Sequence, residues 1–230
     1  MTKLLPSVLV LFFTSAAHLQ AAQFTGSFDL VALQEYPNGN ERSDTISYYF
    51  GENQTAMVLP GRGGDPEFRL VFDPQAATIT GLFEMNGRKG GYVLPMTEEQ
   101  WPGMHEASRD FGSGPRTEQD YTGEEKEIEG HRCREVLAES DEYRARMCVA
   151  VDIPLSITRV LSYQSVGKGK ANEEAALFDQ FGVEGLPLEL FLESKKDKAD
   201  VTIRLVNFSD TVDEAVFSKE GHTLMEPTAQ

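Results

Sequence analysis

Leu186, Leu188, Leu190 and Leu192 take every second position of one stretch, and Val201, Ile203 and Leu205 repeat that spacing beyond a polar turn at Lys195 to Lys198. Side chains of an extended chain point alternately to two faces, so a stretch of this kind has one apolar face that must be covered. The same period runs through most of the sequence. Phe24, Gly26, Phe28 and Leu30 alternate with polar residues, and a turn at Tyr36-Pro37-Asn38-Gly39 leads to a strand carrying Ile46, Tyr48 and Phe50. Gly51-Glu52-Asn53-Gln54 turns the chain into Thr55 to Leu59, which holds Met57. Phe68, Leu70 and Phe72 share one side of the next strand, and Asp73-Pro74 starts the turn before Thr78 to Met85. Asn86-Gly87 suits a two-residue hairpin turn, and the chain returns through Tyr92, Val93 and Leu94. Strands resume near Lys126 and continue to Val151.

Two stretches depart from the pattern. Thr97 to Asp120 is rich in Glu, Gly and Pro, contains Trp101, and reads as a flexible loop or short helical flap. Asn172 to Phe181 reads as a helix, with Asn172 as N-cap and Ala175, Ala176 and Leu177 favouring that state. Pro154 to Leu161 fits either class. The fold expected is mainly β: a single curved antiparallel sheet, a half-barrel of about ten strands, with one or two short helices.

Residues 1–22 have the layout of a secretory signal peptide. Lys3 precedes an apolar run from Leu4 to Ala17, and small residues follow at Ala21 and Ala22. A retained N-terminal anchor is the alternative, because cleavage after Ala22 would place Gln20 where a small side chain is expected. Residues 23–230 then form a single β domain, expected in the periplasm or secreted, as a monomer without a transmembrane segment. The formal net charge of −16 disfavours DNA, RNA and anionic membrane surfaces, all of which need basic patches. It serves as a solubilising coat or meets a cationic partner.

Cys133 and Cys148 are the two cysteines, and an exported chain favours joining them. If Ser140-Asp141 forms the turn, Cys133 opposes Cys148, Glu135 opposes Arg146, and Leu137 opposes Arg144. Val136 and Ala145 then meet on the other face. That register predicts a structural disulfide on the more polar face of the sheet. A redox pair would call for C-x-x-C spacing, which is missing.

No catalytic signature emerges. His105, His131 and His222 lack metal-ligand spacing, Gly112-Ser113-Gly114 lacks the setting of a nucleophile elbow, and Gly167-Lys168-Gly169-Lys170 lacks the remainder of a phosphate loop. No catalytic residue, metal or cofactor is assigned, and a hydrolase built from sequence-distant carboxylates is a distant third reading. What the chain does supply is aromatic surface: 14 Phe and 7 Tyr. A broad sheet accompanied by little helix must close on itself, dimerise or keep an apolar hollow. The candidate ligand-binding residues are Phe28, Leu30, Ile46, Tyr48, Phe50, Met57, Leu70 and Phe72, with Trp101 on the flap. Taken one by one, these side chains equally suit a filled core.

Thr122-Gly123, Ile128, Gly130 and Cys133, within YTGEEKEIEGHRC, give the chain a resemblance to an exported bacterial family known as a domain of unknown function (DUF4412-like). That family carries a T-G, a short charged stretch and an I-x-G-aromatic-x-C element. His131 stands here where an aromatic is usual. Its architecture is similar to that of the LolA/LolB-type periplasmic lipoprotein carriers, a curved antiparallel half-barrel with helices over its open mouth. The resemblance implies a non-enzymatic protein that holds a lipid, acyl chain or lipoprotein anchor. The alternative is a cell-envelope structural or protein-interaction module with a filled core.

Overall fold

The computed structural model describes residues 23–61, 67–109, 111, 120–167 and 173–225. The signal-peptide reading of residues 1–22 and the N-cap reading of Asn172 lie outside them. A first meander comprises β1 (Gly26–Glu35), β2 (Glu41–Phe50), β3 (Thr55–Leu59), β4 (Phe68–Asp73), β5 (Thr78–Met85) and β6 (Arg88–Pro95). A second comprises β7 (Asp120–Ile128), β8 (His131–Glu139), β9 (Tyr143–Ala150), β10 (Pro187–Ser194) and β11 (Asp200–Ser209), and β12 (Thr223–Met225) follows. Helices α1 (Met104–Ala107), α2 (Ile157–Ser162) and α3 (Glu173–Phe181) interrupt the strands, with 3-10 turns at Tyr163–Ser165 and Glu214–Phe217.

All twelve strands join one open curved sheet in the order β12-β6-β5-β4-β3-β2-β1-β11-β10-β9-β8-β7. The half-barrel is as the alternation predicts, with twelve strands in place of about ten. Every neighbouring pair is antiparallel except β12 with β6, which makes the sheet mixed. The seam between the meanders is β1 against β11, running from Ser27 opposite Ser209 to Glu35 opposite Asp200 with a bulge near its start. Turn chemistry fixes the hairpins locally. Asn86 and Gly87 adopt φ of 52° and 71°, the left-handed pair that matches the twist of two antiparallel strands.

The sheet's two faces have unequal cores. The inner face carries the large cluster, including Phe28, Leu30, Tyr48, Phe50, Met57, Leu70, Phe72 and Ile79, together with Leu155, Val160 and Phe178 from the helical segments. The outer face has a small cluster in which Phe217 covers Ala56, Val71 and Leu82. Gly51 makes room for it, since a Cβ there would lie 2.9 Å from the Phe217 ring. Helix α2 begins at Ser156, whose hydroxyl accepts the Arg159 N–H at 3.2 Å, an N-cap that settles the ambiguous stretch as helix. Helix α3 buries Ala175, Phe178 and Phe181, three residues apart, on a single side.

Cys133 and Cys148 form the expected disulfide, with Cα atoms 5.3 Å apart. Its register and surroundings differ from expectation. Cys133 stands opposite Ala150 and Cys148 opposite Glu135, so the bridge runs diagonally, and the turn centres on Asp141-Glu142. The Ser140 hydroxyl accepts the N–H groups of Glu142 and Tyr143 at 3.3 and 3.1 Å, which shifts the turn by one residue and every facing pair by two. Arg146 therefore faces Leu137 instead of Glu135, and Arg144 faces Glu139 instead of Leu137, giving an ion pair at 3.6 Å. Val136 gains Met147 as an apolar partner, and Ala138 faces Ala145. Both cysteines are buried in the main core, not on a polar face.

Candidate ligand-binding face

The inner face is built in rows, because antiparallel partners in register point the same way. One row joins Tyr48 to Met57, Leu70, Gly81 and Tyr92. The next joins Leu59 to Phe68, Phe83 and Gly90. Beside them, Phe72 pairs with Ile79 and Ile79 with Leu94. Every candidate residue on the strands therefore falls on this face, and the structure brings them into one cluster.

Burial divides that face in two. Phe28, Leu30, Tyr48, Phe50, Met57, Leu70 and Phe72 are at most 4% exposed, as is Trp101. The roof over Tyr48, Phe50 and Phe72 is formed by Trp101 and the Tyr163–Ser165 turn. Trp101 packs on Phe72 with ring centroids 4.7 Å apart, and Tyr163 meets Phe72 at 4.8 Å and Trp101 at 5.4 Å. Two polar links tie roof to wall: Gln164 Nε2 donates to the Tyr48 hydroxyl at 2.8 Å, and the Thr55 and Tyr163 hydroxyls are 3.3 Å apart. The flap holding Trp101 is latched to the same turn. Trp101 Nε1 donates to the Ser162 carbonyl, and the Gly103 N–H to the Ser165 hydroxyl, both at 2.8 Å. Trp101 and the Tyr163–Ser165 turn thus close the deep part of this surface, around Tyr48, Phe50 and Phe72.

The other half is open. Ile46, Leu59, Phe68, Phe83 and Tyr92 are only partly buried, and they run side by side over β2 to β6. Two glycines flatten this strip. A Cβ on Gly81 would lie 2.5 Å from the Tyr92 ring, and one on Gly90 would lie 3.0 Å from the Phe83 ring. Each ring thus lies down over a neighbouring glycine, and Tyr92 stacks on Phe68 at 6.2 Å. Burial raises the Tyr92 phenol above its ordinary value.

Of the sequence candidates, Ile46 alone sits on the open strip. Leu59, Phe68, Phe83 and Tyr92 were absent from that set, although Phe68 shares the parity of Leu70 and Phe72. For Phe83 and Tyr92 the signal is the glycine in the neighbouring strand, which marks a close approach. Among the described residues, no group of three or more His, Cys, Asp and Glu side chains is placed to hold a metal ion. No helix among them is long and apolar enough to cross a membrane.

No sequence-family profile matches the chain, and no curated protein does. Among solved structures it is similar to PNGF-II, at 10% identity and a TM-score of 0.40, over 89% of this chain and 32% of that one. The chain thus spans less than two thirds of the PNGF-II chain. An uncharacterised conserved protein from Thermus thermophilus aligns at 8% identity and a TM-score of 0.40, covering 88% of this chain and 91% of the other. A LolA superfamily protein from Nitrosomonas europaea aligns at 9% identity and a TM-score of 0.36, covering 86% and 91%.

Proposed function

We propose that this chain is a non-enzymatic, extracytoplasmic binding protein that holds an acyl chain, a lipoprotein anchor or another apolar ligand on the inner face of its half-barrel. The observation that carries this reading is the strip of Ile46, Leu59, Phe68 and Phe83, a continuous apolar row left partly open beside a closed core. Covering such a surface is favourable by about 25 cal/mol for each Å² of apolar area removed from water. An extended hydrocarbon lying across the strands matches the row's shape. In this reading the open strip receives the ligand. Phe28, Leu30, Tyr48, Phe50, Met57, Leu70, Phe72 and Trp101 join it only when the roof lifts. The N-terminal layout of a signal peptide and the buried disulfide support export of a single domain, residues 23–230.

A second reading has its own observation. Ring centroids 4.7 and 4.8 Å apart between wall and roof leave no gap there for a guest, as expected of a structural or protein-interaction module with a filled core.

Uptake of a fluorescent fatty acid, together with lipid extraction from protein purified out of its host, separates the two. The carrier reading expects bound lipid, saturable uptake, and loss of uptake in Phe68→Asp and Phe83→Asp. Protein recovered empty, with no uptake by the wild type, would leave the filled module standing.

A further inference from the structure

Tyr92 is the polar member of the open strip. Its ring lies across Gly81 and stacks on Phe68, and the ring carbon that bears the hydroxyl is the one nearest Gly81, so the hydroxyl is carried inward over β5, away from β12. The two tyrosines at the roof differ. The hydroxyl of Tyr48 accepts from Gln164, and that of Tyr163 meets Thr55, whereas that of Tyr92 has no hydrogen-bond partner among the described residues. A phenol body in an apolar row with an unused hydroxyl at its end presents one hydrogen-bond donor to whatever covers the row. Desolvation moves the phenol's titration upward, so the group stays a donor at every physiological pH.

We propose that Tyr92 anchors the ligand's polar junction, donating its hydroxyl proton in a hydrogen bond to the carbonyl oxygen of an ester- or amide-linked acyl chain whose hydrocarbon lies over Phe68 and Phe83. This rests on the carrier reading and narrows it. The ligand is a linked acyl chain and not a plain hydrocarbon, and Tyr92 sets where its carbonyl lies, over β5. Recognition is by hydrogen bond to a neutral carbonyl, which suits a protein whose −16 charge repels a free carboxylate.

The test compares wild type and Tyr92→Phe, which keeps the ring over Gly81 and removes the hydroxyl alone. Two probes are titrated into the full chain: a pyrene-labelled fatty acid methyl ester and a pyrene-labelled alkane of equal length. Loss of one neutral hydrogen bond should weaken the ester by about three- to tenfold and leave the alkane unchanged. Equal ester affinity in both proteins would overturn the anchor. Parallel loss of both probes would overturn it too, by assigning the effect to ring packing. Failure of the wild type to bind either probe would instead defeat the carrier reading on which the anchor stands.

Discussion

Asp73 closes the turn between β4 and β5, where its carboxylate accepts the Ala76 N–H at 3.0 Å and Gln54 Nε2 at 2.8 Å. The bond from the Ala76 backbone, first, then those from Gln54 and Gln75 and the charge of Lys219, hold its titration below the ordinary carboxylate value against a smaller opposing effect of burial. A depressed folded-state pKa contributes stability above the unfolded value, near pH 4, and that contribution is lost as pH falls through the folded value. Asp73→Ala should therefore be less stable than wild type by about 1 kcal/mol at pH 7. The gap in urea midpoint should close as the pH drops toward 2. Gly103 is a different kind of constraint. A Cβ there would lie 2.5 Å from the Ser162 carbonyl oxygen, which is backbone and cannot move aside. Gly103→Ala should cost about 2 kcal/mol and loosen the flap. Because Trp101 is the only tryptophan, a red shift of its emission reports the loosening directly. In the sequence Gly103 is one glycine of a breaker-rich loop. Its partner lies some sixty residues away, and nothing local announces the contact.

The cysteine hairpin links β8 to β9 in the middle of the second meander. Replacing both cysteines with alanine removes a constraint spanning 15 residues and should lower stability by about 3 kcal/mol, read from urea unfolding of the purified variant against wild type. That a bridge forms was legible from two cysteines in an exported-looking chain. Its register was not, because the Ser140 hydroxyl chose a turn one residue onward, and period-two patterning is blind to a shift of two. The strands were legible for the same reason in reverse: alternation survives such a shift. The helices were harder. Helix α1 has four residues and α2 six, both too short for a 3.6-residue period to repeat, and they exist because the inner face needs cover. Strand β12 was invisible too, since three exposed residues gain order from the β6 edge they lie on.

The inner face as a surface could be anticipated, and its division into roofed and open halves could not. Phe28, Tyr48 and Phe72 declared themselves by parity, whereas the cover over Phe72 depends on Trp101 and Tyr163 arriving from distant segments. The open strip likewise depends on which strands the roof fails to reach, a fact of the assembled molecule.

The position of β1 has a kinetic side. It lies at the seam, hydrogen-bonded on one flank to its sequence neighbour β2 and on the other to β11, with Ser27 set against Ser209. Made first, it waits longest for its second partner. Until residues 200–209 have been synthesised, the first meander has an unprotected strand flank, and closing it requires contacts of high sequence separation, the slow class of folding event.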